Sequence, residues 1–281
     1  MDHKDIDEIE IRKVKLVVFS PTGSSLSVAK MIGEVIADGL ETLEGGGSKR
    51  GPGGFPAQGE LLDLCAGQMG GIGPHTLCIF SVPCYGGRIP QMAAERLANV
   101  RGDGTPAIVC VTFGNRAYED ALVELADIVT ENGFHVIAGC AVVTEHNIMH
   151  EFGKGRPDAA DRAEITGFAQ RVLGRIRESK MVHGPSLPGN RPYKNWPGSS
   201  LPIVVDESLC TGCGICAKSC PAGAVLTKGW KTDEKLCINC MRCIAECPAK
   251  CRFVPEEVLR AMTERLRTAC EERKENAFFC G

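Results

Sequence analysis

Aromatic side chains are scarce in this chain, with 2 Trp, 3 Tyr and 10 Phe among 281 residues. A core of ordinary size must therefore rest on Val, Ile, Leu and Ala, and a hydrophobic content of 43% supplies them. Long apolar runs are missing too. None approaches the roughly 18 residues that cross a bilayer, so no membrane span is expected. The opening MDHKDIDEIEIRK is charged throughout and is no secretory signal. Excess charge of either sign is also absent. A net charge of -3 leaves no basic footprint for nucleic acid or for an anionic lipid surface. The expectation is a soluble, cytoplasmic protein.

Cysteine, by contrast, is abundant, at sixteen residues. In a reducing compartment such density implies metal or redox chemistry rather than disulfides. Half of the cysteines fall in two runs, CTGCGICAKSCP from Cys210 and CINCMRCIAECP from Cys237. Both read C-x2-C-x2-C-x3-C-P, the ligand pattern of a bacterial ferredoxin with two [4Fe-4S] clusters. In that pattern three cysteines wrap one cubane, and the fourth, beyond a turn, serves the other. Cluster one then takes Cys210, Cys213, Cys216 and Cys247. Cluster two takes Cys237, Cys240, Cys243 and Cys220. Structural zinc is disfavoured, because it is bound by paired cysteines rather than triplets with a distant fourth. The other cysteines are scattered, several in apolar runs where a thiol packs as a small hydrophobe. Cys251, four residues after Cys247, reads as packing.

The runs VKLVVFS (14–20), TLCIFSVP (76–83), PAIVCVTF (106–113) and FHVIAGCAVV (134–143) are short and apolar, as in buried parallel strands. Glu60 to Leu64 adds a short edge strand. Helical spacing intervenes. Val28, Met31, Ile32, Val35 and Ile36 form one stripe, and a helix runs from Pro90 to about Val100. Ala121, Leu122, Leu125, Ile128 and Val129 form another stripe, and Ile165, Phe168, Val172 and Ile176 the last. This alternation predicts an α/β fold over residues 1–178, a doubly wound five-stranded parallel sheet. Glu44 to Gly59 is a Gly- and Pro-rich surface loop. Residues 179–200 hold Pro185, Pro188, Pro192 and Pro197 and read as a semi-rigid linker. A small α+β ferredoxin module occupies 201–255. A helix follows over 256–281, with Glu256 and Glu257 in its first turn and an apolar stripe of Val258, Leu259, Met262, Leu266 and Ala269.

Ligands of doubly wound sheets bind beyond the carboxyl ends of the strands. Three loops occupy that edge. The first offers the hydroxyls of Ser20, Thr22, Ser24 and Ser25 around Gly23, with a helix N-terminus behind them. It suits a phosphate, although Ser24 or Ser25 also serves as an ordinary helix cap. It lacks both the Walker lysine and G-x-G-x-x-G, so a monophosphate such as FMN fits better than ATP or a dinucleotide. The second loop contains Pro83, Tyr85, Gly86, Gly87 and Arg88. The third contains Phe113, Gly114, Asn115, Arg116 and Tyr118. Each sets an aromatic beside glycine, either to stack a flat ring or to plug the loop itself. Arg88 and Arg116 beside a flavin would favour its anionic reduced form and raise its potential. His146 and His150, after the last strand, are either proton donors or surface polar groups.

The first ~178 residues resemble a flavodoxin, whose phosphate loop follows T/S-x-T-G-x-T; Ser20, Thr22, Gly23 and Ser25 match it. With SPTG, PCYGGRIP, GNRAYEDAL and GRPD, and the cysteine runs behind them, nearly the whole chain resembles the EFR1 family of fused flavodoxin–ferredoxin proteins of anaerobes. One departure is Gly-Asn-Arg in the third loop, where free flavodoxins commonly carry acids. The resemblance implies bound FMN and two [4Fe-4S] clusters. It also implies a redox protein as donor or acceptor, with oligomeric state left open. Three readings follow: an electron relay between clusters and FMN, an FMN-dependent reductase of a quinone, nitro compound or enone, and a ferredoxin docked through an empty flavodoxin-like domain. No nicotinamide site is indicated.

Overall fold

The computed structural model describes residues 10–44, 59–68, 70–73, 75–178, 184–227 and 230–281. The Gly- and Pro-rich loop expected between Glu44 and Gly59 lies outside them, as do residues 1–9. The first half runs β1 (Lys13–Val18), α1 (Ser24–Glu44), β2 (Gly59–Asp63), β3 (Thr76–Pro83), α2 (Gln91–Leu97), β4 (Thr105–Phe113), α3 (Ala121–Glu131), β5 (Phe134–Val143) and α4 (Ala159–Arg177). Strands β1 to β5 pair in parallel in the order β2-β1-β3-β4-β5. That order, with the switch point between β1 and β3, is the flavodoxin-like one.

The strands are apolar on both faces because both are covered. In β1, Val14, Leu16 and Val18 point into a core shared with Val28, Ile32 and Ile36 of α1 and Ile165, Phe168 and Val172 of α4. Val17, between them, and Phe19 beyond point into the opposite core, with Leu97 of α2 and Leu122, Leu125 and Val129 of α3. The period-two alternation of side chains makes this division. Helix α4 begins with a capping box, in which Asp158 accepts from the backbone N–H of Ala160 and Asp161.

The second half contains β6 (Val204–Val205), α5 (Ile215–Lys218), α6 (Arg242–Ala245), β7 (Arg252–Phe253), α7 (Glu256–Cys270) and β8 (Ala277–Cys280). Strands β6 and β7 form a two-stranded antiparallel sheet. The tail departs from the expectation of a helix alone. Strand β8 returns to the first half and pairs antiparallel with β5, making the sheet six-stranded. Helix α7 lays Leu259, Met262 and Leu266 against Met149 and Phe152 of the loop after β5. The tail is fastened through Asp161, which receives Arg156, Arg273 and Asn276. The Pro-rich segment is fastened too. Asn190 and the Lys194 backbone N–H donate to Asp120, and Arg191 and Tyr193 donate to Asp127.

Candidate functional site

The two cysteine runs share one backbone path. The residue before each second cysteine, Gly212 or Asn239, has φ of 69° or 49°, and the residue after it, Gly214 or Met241, has φ of 75° or 62°. Left-handed backbone is easy for glycine and costs other residues roughly 1–2 kcal/mol each. Asn239 offsets that cost with its side chain. Its Oδ1 accepts from the Leu201 N–H at 3.0 Å, and its Nδ2 donates to the Leu201 carbonyl at 3.0 Å. These turns fold each C-x2-C-x2-C loop around a small apolar cavity.

The cysteines lining the first cavity are Cys210, Cys213, Cys216, Cys247 and Cys251. Those lining the second are Cys220, Cys237, Cys240 and Cys243. The fourth cysteine of each run therefore faces the other run's cavity. Among the described residues no three His, Cys, Asp or Glu side chains converge as a single ion requires. Thiols spread around a cavity fit a cubane, whose irons each take one sulfur. The Ala224 N–H donates to Cys220 Sγ at 3.3 Å and Asn239 Nδ2 to Cys237 Sγ at 3.6 Å; such bonds tune a cluster's potential. Cys213 is exposed, whereas Cys240 and Cys243 are buried. Burial pushes the Cys240 thiol up to about 12, so an iron bound there would displace a tightly held proton.

The second cavity faces the strand ends of the α/β domain. Arg242, between Cys240 and Cys243, lines it and also lines a cavity of about 360 Å³ bounded by Ser20, Pro21, Thr22 and Gly23. Its guanidinium pairs with Glu246 at 3.0 Å. Ile238 packs on the α2–α3 core. Burial raises the Tyr85 hydroxyl's pKa well above normal, and neighbouring Cys240 and Cys65 add to it.

The phosphate end suits FMN. Thr22 is exposed to the cavity, and Gly23, at φ +92°, has nothing within 4 Å of where a Cβ would sit. Ser20 Oγ accepts from the Leu26 N–H at 3.0 Å, leaving its own proton to donate. Ser24 opens α1. Ser25 departs from expectation: it is buried, with Oγ 2.7 Å from Thr112 Oγ1, and so braces the loop.

The second and third loops line a separate cavity of about 520 Å³. Cys84, Tyr85, Gly86, Arg116 and His146 meet Lys194 and Trp196 of the Pro-rich segment, Asn239 of the second run, and Met262 and Arg265 of α7. That volume is ligand-sized, and among the described residues no carboxylate lines it. Several expected ring contacts are committed elsewhere. Arg88 bonds both oxygens of Glu124 at 2.7 Å and the Lys194 carbonyl, with Tyr193 beneath it, so its charge is satisfied away from the cavity. Asn115 turns to the tail, donating to the Cys270 and Glu272 carbonyls. Gly87 packs on Glu119 and Gly114 on the His146 ring. Phe113 and Tyr118 pack on each other, 5.4 Å between centroids; Pro83 ends β3. Arg116 lines the cavity but pairs with Glu119. Two backbone N–H groups, of Ile148 and Met149, donate to His146 Nδ1, so its proton sits on Nε2. His150 pairs with Glu145 at 2.8 Å and is exposed.

Sequence reasoning missed Lys194, Trp196, Arg242 and Arg265. Arg242 and Asn239 lie inside the second cysteine run, where ligand spacing drew attention from what stands between ligands. Proline density made Lys194 and Trp196 look like spacer. Nothing local marks Arg265.

Family models described as 4Fe-4S binding domain match residues 203–226 and 234–250. A rubredoxin oxygen:oxidoreductase from the anaerobe Desulfovibrio gigas is 17% identical with a TM-score of 0.40, over 62% of this chain and 38% of its own. A Streptococcus pneumonia TIGR4 flavodoxin is 15% identical, TM-score 0.35, over 58% of this chain and 98% of its own. Flavodoxin 1 from Bacillus cereus is 14% identical, TM-score 0.35, over 58% and 97%. No curated protein matches. The strand order makes the first half flavodoxin-like in fold, and two segments of the second half match models of a 4Fe-4S binding domain. Among the described residues no helix is long and apolar enough to cross a membrane.

Proposed function

We propose that the protein is an electron-transfer iron–sulfur flavoprotein that passes electrons between two [4Fe-4S] clusters and FMN, with a separate redox protein as donor or acceptor. The observation that carries this reading is Arg242, whose side chain lines both the cluster-two cavity and the phosphate-loop cavity. Cubanes supply one-electron steps and FMN one- or two-electron chemistry. Ser20, Thr22 and Gly23 would hold the phosphate, and Tyr85, Gly86, Arg116 and Trp196 would flank the ring. The exposed Cys213 supports a cluster one open to a docking partner, and Arg242 and Ile238 support a cluster two lying near the flavodoxin-like domain. Boundaries near residues 178 and 200 belong to the same reading.

The 520 Å³ cavity favours a second reading, reduction of a small acceptor. Turnover of a quinone, nitro compound or enone without any protein acceptor would distinguish it. The primary test is a joint iron, sulfide and flavin assay on anaerobically purified protein. About eight irons and about one FMN per chain are expected. Flavin below about a tenth per chain would instead favour a ferredoxin docked on an empty domain.

A further inference from the structure

The two cysteine runs are near-repeats, and one position at which they differ is buried in both. After the fourth cysteine, the first run continues Cys220-Pro221-Ala222-Gly223-Ala224 and the second Cys247-Pro248-Ala249-Lys250-Cys251. Ala224 and Cys251 hold equivalent places. Each is buried, and each lines the cavity that its run's fourth cysteine faces. Where the first run has a methyl group, the second has a thiol. Cys251 Sγ lies 3.5 Å from Cys247 Sγ, and Cys210 is within its hydrogen-bonding reach. Cluster one's cavity thus has five thiols and cluster two's has four.

We propose that Cys251 is a reserve ligand of cluster one, able to take the iron held by Cys247. The exchange swaps one Fe–S bond for another. Cys251 gives up its thiol proton, the released Cys247 sulfur takes one up, and no electron moves. The arrangement falls on the cluster that Cys213 exposes to solvent, where ligand loss is the greater hazard. Among the described residues the second cavity has no such spare.

This rests on the ligand assignment above, and the test separates the two. Iron and acid-labile sulfide are measured on anaerobically purified full-length variants. Cys247→Ala should keep about eight irons, whereas Cys220→Ala should fall to about four. Adding Cys251→Ala to Cys247→Ala should remove about half the iron. In the reverse direction, Ala224→Cys added to Cys220→Ala should restore it. Equal iron loss in Cys247→Ala and Cys220→Ala would overturn the proposal. If Cys247→Ala proves insoluble, the transplant decides alone: no recovery of iron with Ala224→Cys overturns it. Full iron retention in Cys220→Ala would instead overturn the ligand assignment.

Discussion

Arg96 Nη2 donates a hydrogen bond of 2.6 Å to the carbonyl of Pro221, the residue that follows Cys220. One guanidinium of the α/β domain thereby grips the loop that carries Cys220. The same side chain donates to the Cys65 carbonyl at 3.0 Å, beside the phosphate loop. Arg96→Ala should weaken docking of the ferredoxin module by about 1.5–3 kcal/mol, the usual worth of a hydrogen bond from a charged donor. Hydrogen exchange should then rise in residues 215–225 while iron content stays constant. Unchanged exchange there would mean that docking rests on other contacts.

Thr22 tests the phosphate loop. Its side chain is exposed and stands beside the open space at Gly23. Thr22→Val keeps the shape and removes the hydroxyl. FMN affinity, measured by fluorescence quenching, should fall about tenfold or more, as for a lost bond to a charged acceptor. Ser25→Ala should act differently, lowering thermal stability, because its hydroxyl bonds Thr112 inside the fold. Equal affinities for wild type and Thr22→Val would remove this loop from the flavin site.

His146 sets an acid dependence. Burial, then the charges of His150 and Arg116, push its pKa from 6.5 down to about 4. Charging it would also break both N–H bonds to Nδ1. Between these two values the unfolded chain binds a proton that the folded chain refuses. Stability from this group is therefore complete above about pH 6.5 and lost progressively as pH falls toward about 4. His146→Asn keeps an acceptor and cannot titrate. Urea midpoints at about pH 7 and about pH 5 should fall more in the wild type than in this variant; equal falls would contradict the assignment.

Asp161 holds the tail. Burial alone would raise its pKa, but the hydrogen bonds from Arg156, the Asp158 N–H and Asn276 outweigh it and leave the carboxyl well below normal. The stabilisation is thus present above about pH 4 and is lost as pH falls further. Asp161→Asn should cost about 3 kcal/mol at neutral pH by stranding Arg156. The difference from wild type should shrink in acid. A pH-independent difference would mean that shape, rather than charge, matters at this position.

The two cysteine-lined cavities were legible because the spacing that folds each run around one is local. Parallel strands were legible because runs such as TLCIFSVP are apolar on both faces. Strand β8 was not. Ala277-Phe278-Phe279-Cys280 is too short to declare itself, and it becomes a strand only because β5 offers an unpaired edge. Asn115 looked like a ring contact by its place in the third loop, but its Nδ2 donates to carbonyls, and its Oδ1 accepts from the Lys274 N–H, more than 150 residues away. Arg88 was misleading for the same reason, its partner Glu124 lying a full helix entry downstream. Side-chain commitments made at long range leave no mark in local spacing.

The most direct test of the central claim is internal electron exchange in the intact chain. Clusters reduced by a flash-generated donor, under anaerobic conditions and at several protein concentrations, should reoxidise as the flavin absorbance near ~450 nm bleaches, as expected for a covalently joined pair of redox centres. The expected rate is first-order and independent of protein concentration. Bleaching that scales with concentration, or clusters that stay reduced while bound flavin stays oxidised, would contradict electron transfer between the two halves.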